Sequence, residues 1–179
     1  MRTRLIVGLS FAIAAGALAI AVWLLVRPQA TEPAPEAVPQ GGSLEGVRFD
    51  DFGESGATSL EALSDRALVV NFFATWCAPC VKEMPEFQAV YEEAGAKVQF
   101  LGVNLRDDAE GAKTLVKRTG VTYLVASDPQ GEMFQRMGGF GMPTTFFIAP
   151  GPKLLERRTG PLSAEQLRER LMKHFSIEL

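Results

Sequence analysis

The 179-residue chain has only two cysteines, Cys77 and Cys80, and one histidine, His174. A framework of several disulfides is therefore excluded. A zinc site usually needs four ligands, and His174 is far along the chain from the two cysteines, so no metal site is expected. Clustered positive charge is also lacking. The net charge is −3, with Lys and Arg nowhere concentrated, so nucleic acid is not an expected partner. No internal repeat is present.

What the chain does have begins with an apolar run. Leu5 to Val26 carries no charge, and a helix of that length spans about 33 Å against a bilayer core of ~30 Å. A single transmembrane signal-anchor over residues 5–26 is expected, with Trp23 at its interfacial end. The rival is a cleaved secretory signal, since Ala19-Ile20-Ala21 has the small-x-small form of a cleavage site. Cleavage there would fall inside the run and leave Val22 to Val26 on the product. Arg2 and Arg4 oppose Arg27, which keeps residues 1–4 cytoplasmic and exports the rest. Residues 27–43, with Pro28, Pro33, Pro35 and Pro39, read as a Pro-rich linker. Residues 44–179 are enough for one globular domain.

Ala67 to Phe73 is an apolar run broken only by Asn71, as in a strand covered on both faces. Cys80, Met84, Phe87 and Tyr91 recur at helical spacing directly after it, with Pro85 expected to kink that helix. Lys97 to Val103 reads as a strand. Asp107 and Glu110 have capping-box spacing for a helix ending near Gly120, and Val121 to Ala126 reads as a strand. Asp128-Pro129 opens a short helix that Gly138 closes. Thr144 to Ile148 and Lys153 to Arg158 form a hairpin across Pro150-Gly151-Pro152. Ser163 with Gln166 caps a last helix, Leu162 and Leu167 staple it, and Leu167, Leu171 and Phe175 are its buried face. The predicted order is βαβ, then αβ, then αββα.

Cys77-Ala78-Pro79-Cys80 is a C-x-x-C at a strand-to-helix junction, the context in which that motif performs redox chemistry. A cysteine at a helix N-terminus meets unpaired N–H groups and the positive end of the dipole, which favour its thiolate. Cys77 is therefore the attacking thiol. Cys80, one turn further in on the buried stripe, is the resolving thiol and is within disulfide reach. Pro79 suits the first turn, having no N–H to lose. A purely structural bridge is the lesser reading, because so short a loop restricts the unfolded chain least. His174 is assigned no role.

The stretch Asn71 to Pro85, NFFATWCAPCVKEMP, together with Gly141-Met142-Pro143-Thr144-Thr145-Phe146, resembles the TlpA/ResA-like branch of the thioredoxin superfamily. The resemblance implies an α/β thioredoxin fold, a central mixed sheet flanked by helices, with an N-terminal extension, an αβ insertion and a membrane anchor. It implies that Pro143 is cis and lies beside the cysteine pair. Trp76, Pro79, Phe140 and Met142 would then border the site as a substrate-binding rim, although ordinary packing explains such residues equally well. Glu83, one turn after Cys80, leans toward the apolar side of its helix, where a carboxylate can take the resolving thiol's proton. The resemblance supports that role. Thioredoxin carries a buried aspartate where this chain has Asn71, which cannot accept a proton, and Glu83 is the substitute.

The implied activity is an extracytoplasmic thiol:disulfide oxidoreductase. Direction follows from the partners' potentials. No cation accompanies Ala78-Pro79 and Glu83 opposes ionisation, so a reductant is expected. The resemblance implies a membrane thiol transporter as electron donor. It also implies an oxidised apocytochrome c or a copper-site protein as substrate, and no cofactor. Two other readings stand beside it. A peroxiredoxin-type peroxidase resembles P-x-x-x-T-x-x-C, but Ala74 holds the threonine position. A thioredoxin-like copper metallochaperone resembles C-x-x-x-C, and the spacing here is one residue short.

Overall fold

The computed structural model describes residues 39, 41–52 and 57–179. The expected membrane span Leu5 to Val26, and the linker from Arg27 to Val38, lie outside the described residues. Among the described residues no helix is long and apolar enough to cross a membrane.

Among the described residues seven strands form one sheet, β1 (Arg48–Asp51), β2 (Ala57–Ser59), β3 (Leu68–Phe73), β4 (Gln99–Leu105), β5 (Leu124–Asp128), β6 (Thr144–Ala149) and β7 (Lys153–Thr159). Their order across the sheet is β2-β1-β5-β4-β3-β6-β7. β3 runs parallel to β4, and β4 to β5; β6 and β7 add on antiparallel, and β1 pairs antiparallel with β5. The helices are α1 (Ala78–Ala94), α2 (Ala109–Thr119), α3 (Glu132–Arg136) and α4 (Ala164–Phe175). From β3 onward the observed order is the βαβ, αβ, αββα expected from periodicity. Strands β1 and β2 are additions that the sequence pattern did not mark. Gly41 and Gly42, at the end of the expected linker, exchange hydrogen bonds with Leu154 at 2.7 and 3.0 Å.

The core has two halves because strand side chains alternate between faces. Val69 and Phe73 join Cys80, Met84, Phe87, Leu167 and Leu171 on one face. Leu68, Val70 and Phe72 join Leu44, Phe49, Met133 and Phe134 on the other. Asn71 shares its parity with Val69 and Phe73, so it points at α1. This alternation carries most of the fold's stability, since burying one large apolar side chain is worth ~1.5–3 kcal/mol. α1 and α4 are also tied by a two-pronged Arg168–Glu93 pair at 2.6 and 2.7 Å.

Several expected boundaries move. The cap of α2 is Asp108, whose carboxylate accepts from the Gly111 N–H at 2.6 Å, not Asp107. Helix α3 starts at Glu132 rather than at Asp128-Pro129. Asp128 ends β5 and its carboxylate accepts from the Phe134 N–H at 2.9 Å, reaching the helix from the end of the strand before it. Helix α1 continues through Pro85 to Ala94. The Ser163–Gln166 capping box forms as expected.

At Gly139 the chain passes so close to a core ring that an added Cβ would lie 2.3 Å from Phe134. That ring meets Phe72 edge-on at 5.0 Å and is held in the core. Gly139→Ala is therefore expected to cost about 1–3 kcal/mol through overpacking. A urea midpoint matching that of the parent protein would show that the ring can move aside.

Candidate active site

Strand β3 ends at Phe73, and the chain must turn before α1 begins. Asp107, just past β4, holds that turn. Its carboxylate accepts from the Thr75 N–H and hydroxyl, both at 2.6 Å, and from Asn104 Nδ2 at 2.9 Å. Although burial pushes the other way, these donors hold the Asp107 carboxyl below its ordinary range. The indole of Trp76 donates to the Arg106 carbonyl at 3.4 Å. The loop carrying Trp76 and Cys77 is thus fastened to the C-terminal ends of the parallel strands, where ligand sites of open α/β sheets lie.

Cys77 is the N-cap of α1 and Pro79 occupies its first turn. Cys77 and Cys80 are joined by a disulfide with their Cα atoms 5.3 Å apart. Cys80 is fully buried, whereas Cys77 keeps 5% of its surface. The asymmetry agrees with an outer and an inner sulfur, but in the disulfide form the outer one is less open than expected.

Glu83 follows Cys80 by one turn of α1 and is only 3% exposed. Its Oε1 accepts from Asn71 Nδ2 at 2.8 Å and its Oε2 from the Leu162 N–H at 3.0 Å. Burial raises its pKa to about 7, with the nearby Glu86 charge adding, while the two hydrogen bonds work in the opposite sense. A group poised near neutrality can both take and return a proton. Tyr123 is buried nearby with its hydroxyl unpartnered, and desolvation first, then the Glu83 charge, pushes its phenol up. A cavity of about 470 Å³ opens beside the site, lined by Ala78, Pro79, Lys82, Glu83 and Leu162 among others.

The Met142–Pro143 peptide is cis, and Pro143 is buried at the start of β6. Of the expected rim, Trp76 is 59% exposed and Phe140 78%. Pro79 is exposed and Met142 half-buried, packing against both halves of the core. His174 stands apart, stacked on Phe147 and hydrogen-bonded to Glu156 at 2.5 Å. Among the described residues no three Cys, His, Asp or Glu converge on a point that could hold a metal ion.

The family model described as Redoxin matches residues 29–171 of this chain. The chain belongs to the redoxin family. Within it, a ResA thiol-disulfide oxidoreductase of Bacillus thuringiensis subsp. konkukian is 34% identical over 117 residues, covering 64% of this chain and 66% of that protein. A DsbE homolog of Paracoccus denitrificans, described as a thiol:disulfide interchange protein, is 30% identical over 171 residues, covering 92% and 89%. The solved structure of StoA from Bacillus subtilis superposes with a TM-score of 0.59 at 26% identity, over 76% of this chain and 98% of StoA. A DsbF homologue from Corynebacterium diphtheriae, at 24% identity and a TM-score of 0.67, covers 82% of this chain and 96% of its own, and shares the fold. The redoxin is thus a TlpA/ResA-like member of the thioredoxin superfamily of oxidoreductases.

Three parts of this redoxin's site escaped the sequence reading. Asp107 has the spacing of a cap, and nothing in its neighbourhood marks it as the anchor of Thr75, thirty-two residues away. The Leu162 N–H is a backbone donor, invisible to any residue pattern. The pairing of Asn71 with Thr145 comes from strand register, Asn71 standing opposite Thr145 across β3 and β6.

Proposed function

We propose that this redoxin is an extracytoplasmic reductase of protein disulfides, carried on the outer face of the cell membrane by a single span over Leu5 to Val26. The observation that carries the reading is a cysteine pair at the head of α1 with a buried carboxyl one turn further along the helix, which burial pushes up to about 7. The cycle begins with the dithiol. The Cys77 thiolate, favoured by the free N–H groups of the first turn, attacks one sulfur of the substrate disulfide, and the other sulfur leaves as a thiolate. Glu83 takes the proton from the Cys80 thiol, and the Cys80 sulfur then attacks Cys77. The substrate leaves with both thiols reduced and the protein is left with the Cys77–Cys80 disulfide.

A dithiol donor must return two electrons, and on the outer face of a membrane the fitting source is a membrane thiol transporter. Trp76, Pro79, Phe140 and Met142 receive the substrate chain beside Pro143. The substrate is an extracytoplasmic protein with oxidised cysteines, of which apocytochrome c and a copper-site maturation protein are the candidates. Relatives named for thiol:disulfide interchange, among them HelX of Rhodobacter capsulatus, support interchange chemistry without choosing between these.

The deciding experiment is to express Cys80→Ser in its own membranes and identify what is bound to Cys77. An apocytochrome or a haem-attachment component places the protein in cytochrome c maturation, and a copper-site protein places it in that assembly. Recovery of no cysteine-bearing protein partner refutes the reductase reading.

A further inference from the structure

Buried polar groups are nearly always hydrogen-bonded, so an exception beside a reacting centre requires a physical cause. Asn71 Oδ1 is buried without a partner, although the Nδ2 of the same amide donates twice, to Glu83 Oε1 at 2.8 Å and to Thr145 Oγ1 at 3.2 Å. Asn71 is 2% exposed and Thr145 fully buried, so the amide is shielded from bulk solvent. The arrangement suits an ionised Glu83, which can only accept. It does not suit a protonated Glu83, whose O–H would meet an N–H. Half a turn of the amide exchanges its oxygen and nitrogen in place. Oδ1 then accepts from the Glu83 O–H and from Thr145, whose hydroxyl can give as well as take, while Nδ2 moves to the position that Oδ1 held without a partner, so the turn is driven by the pairing with Glu83.

We infer that Asn71, backed by Thr145, is a swivelling amide that positions Glu83 in both of its protonation states. It rests on the proposed role of Glu83 as the proton acceptor for Cys80. An aspartate at this place would compete for the proton at hydrogen-bond distance, whereas an amide follows the proton without binding one. The Leu162 N–H holds Oε2 fixed throughout, which leaves Oε1 as the atom that gains and loses hydrogen. Among the described residues, the titratable or charged groups near Glu83 are Lys82 and Glu86 on its own helix, which also carries Cys77 and Cys80, and Tyr123 beside β5. From the facing strands Asn71 meets its carboxylate, backed by Thr145, and ahead of α4 the Leu162 N–H does, with Ser163 and Gln166 lining the same cavity.

The test is the titration midpoint of Glu83, followed by carbon-13 NMR of its carboxyl in the full chain, with the Asn71 side-chain amide followed alongside. In the parent protein the amide resonances should move with the Glu83 midpoint. Asn71→Ala removes a donor to the charged form and should raise the midpoint by about one unit or more. Thr145→Val leaves one amide N–H unpaired beside the ionised form and should raise it by roughly half a unit. Thr145→Ser, which keeps the hydroxyl, should leave it in place. Amide resonances identical at pH 5 and pH 9 would overturn the inference, and they need no variant. So would a midpoint unmoved in both Asn71→Ala and Thr145→Val. Failure of the underlying reading shows elsewhere, as thiol exchange in Glu83→Gln that matches the parent at every pH.

Discussion

Cys80→Ser is expected to stop the cycle half-way, with the protein accumulating as a mixed disulfide through Cys77, while Cys77→Ser captures nothing. The two cysteines differ in place as well as in how readily they ionise. Both belong to the same core half, but Cys77 caps α1 and retains 5% of its exposure, whereas Cys80 has none. A substrate sulfur can therefore approach the first and not the second. Once the mixed disulfide has formed, its resolution depends on a thiol already held one helical turn away, with the two Cα atoms 5.3 Å apart. Replacing that neighbour by a hydroxyl leaves only dissolved thiols to finish the exchange, and the loss of so high an effective concentration slows release by at least about a thousandfold. Cys77→Ser should lose turnover to the background level of free dithiols, because Cys80 cannot reach a substrate. Quenching with an alkylating agent followed by non-reducing electrophoresis reads both outcomes. Equal trapping by the two variants would mean that the inner sulfur is reachable, and the assignment of roles would fail.

The sulfur pair was legible in the sequence because its chemistry is local: a strand pattern, two cysteines and a proline in the first helical turn all lie within a dozen residues. The burial of Glu83 was legible for the same reason, since helix periodicity alone places it toward the apolar side of α1. What supports them was not. Asn71, Thr145 and Leu162 come from three separate elements, and only the β3–β6 register and the approach of the α4 N-terminus to α1 bring them to one carboxyl. Asp107 shows the limit more sharply. A capping aspartate and an anchoring aspartate have the same local spacing, and the neighbouring Asp108 took the cap. Strands β1 and β2 are short, paired at the sheet's far edge, and carry little alternation for a pattern to detect.

Glu83→Gln should remove a fall in stability that the oxidised parent shows as pH rises from about 5 to 8. Burial lifts the Glu83 pKa from its ordinary 4.5 to about 7, so between these values the folded chain holds a proton that the unfolded chain has released. Stability from this group is whole below the lower value and is lost as pH climbs through the upper one. A shift of that size corresponds to roughly 3 kcal/mol across the window. Asp107 and Glu156, held below the ordinary carboxyl range, act in the opposite sense and lose their contribution only as pH falls into acid. The two effects therefore occupy separate windows. The introduced side-chain amide would offer its oxygen to the Leu162 N–H and its nitrogen to an Asn71 turned to accept, so it imitates the protonated acid. At pH 8 the variant should be the more stable protein by up to about 3 kcal/mol, and at pH 5 no more stable than the parent. It cannot take a proton from Cys80, so release of reduced substrate should slow while the first attack by Cys77 does not, and the inflection of release near pH 7 should vanish. A parent protein whose unfolding midpoint is flat from pH 5 to 8 would show that Glu83 is ionised throughout, and the carboxyl would then have no proton to exchange with the inner thiol.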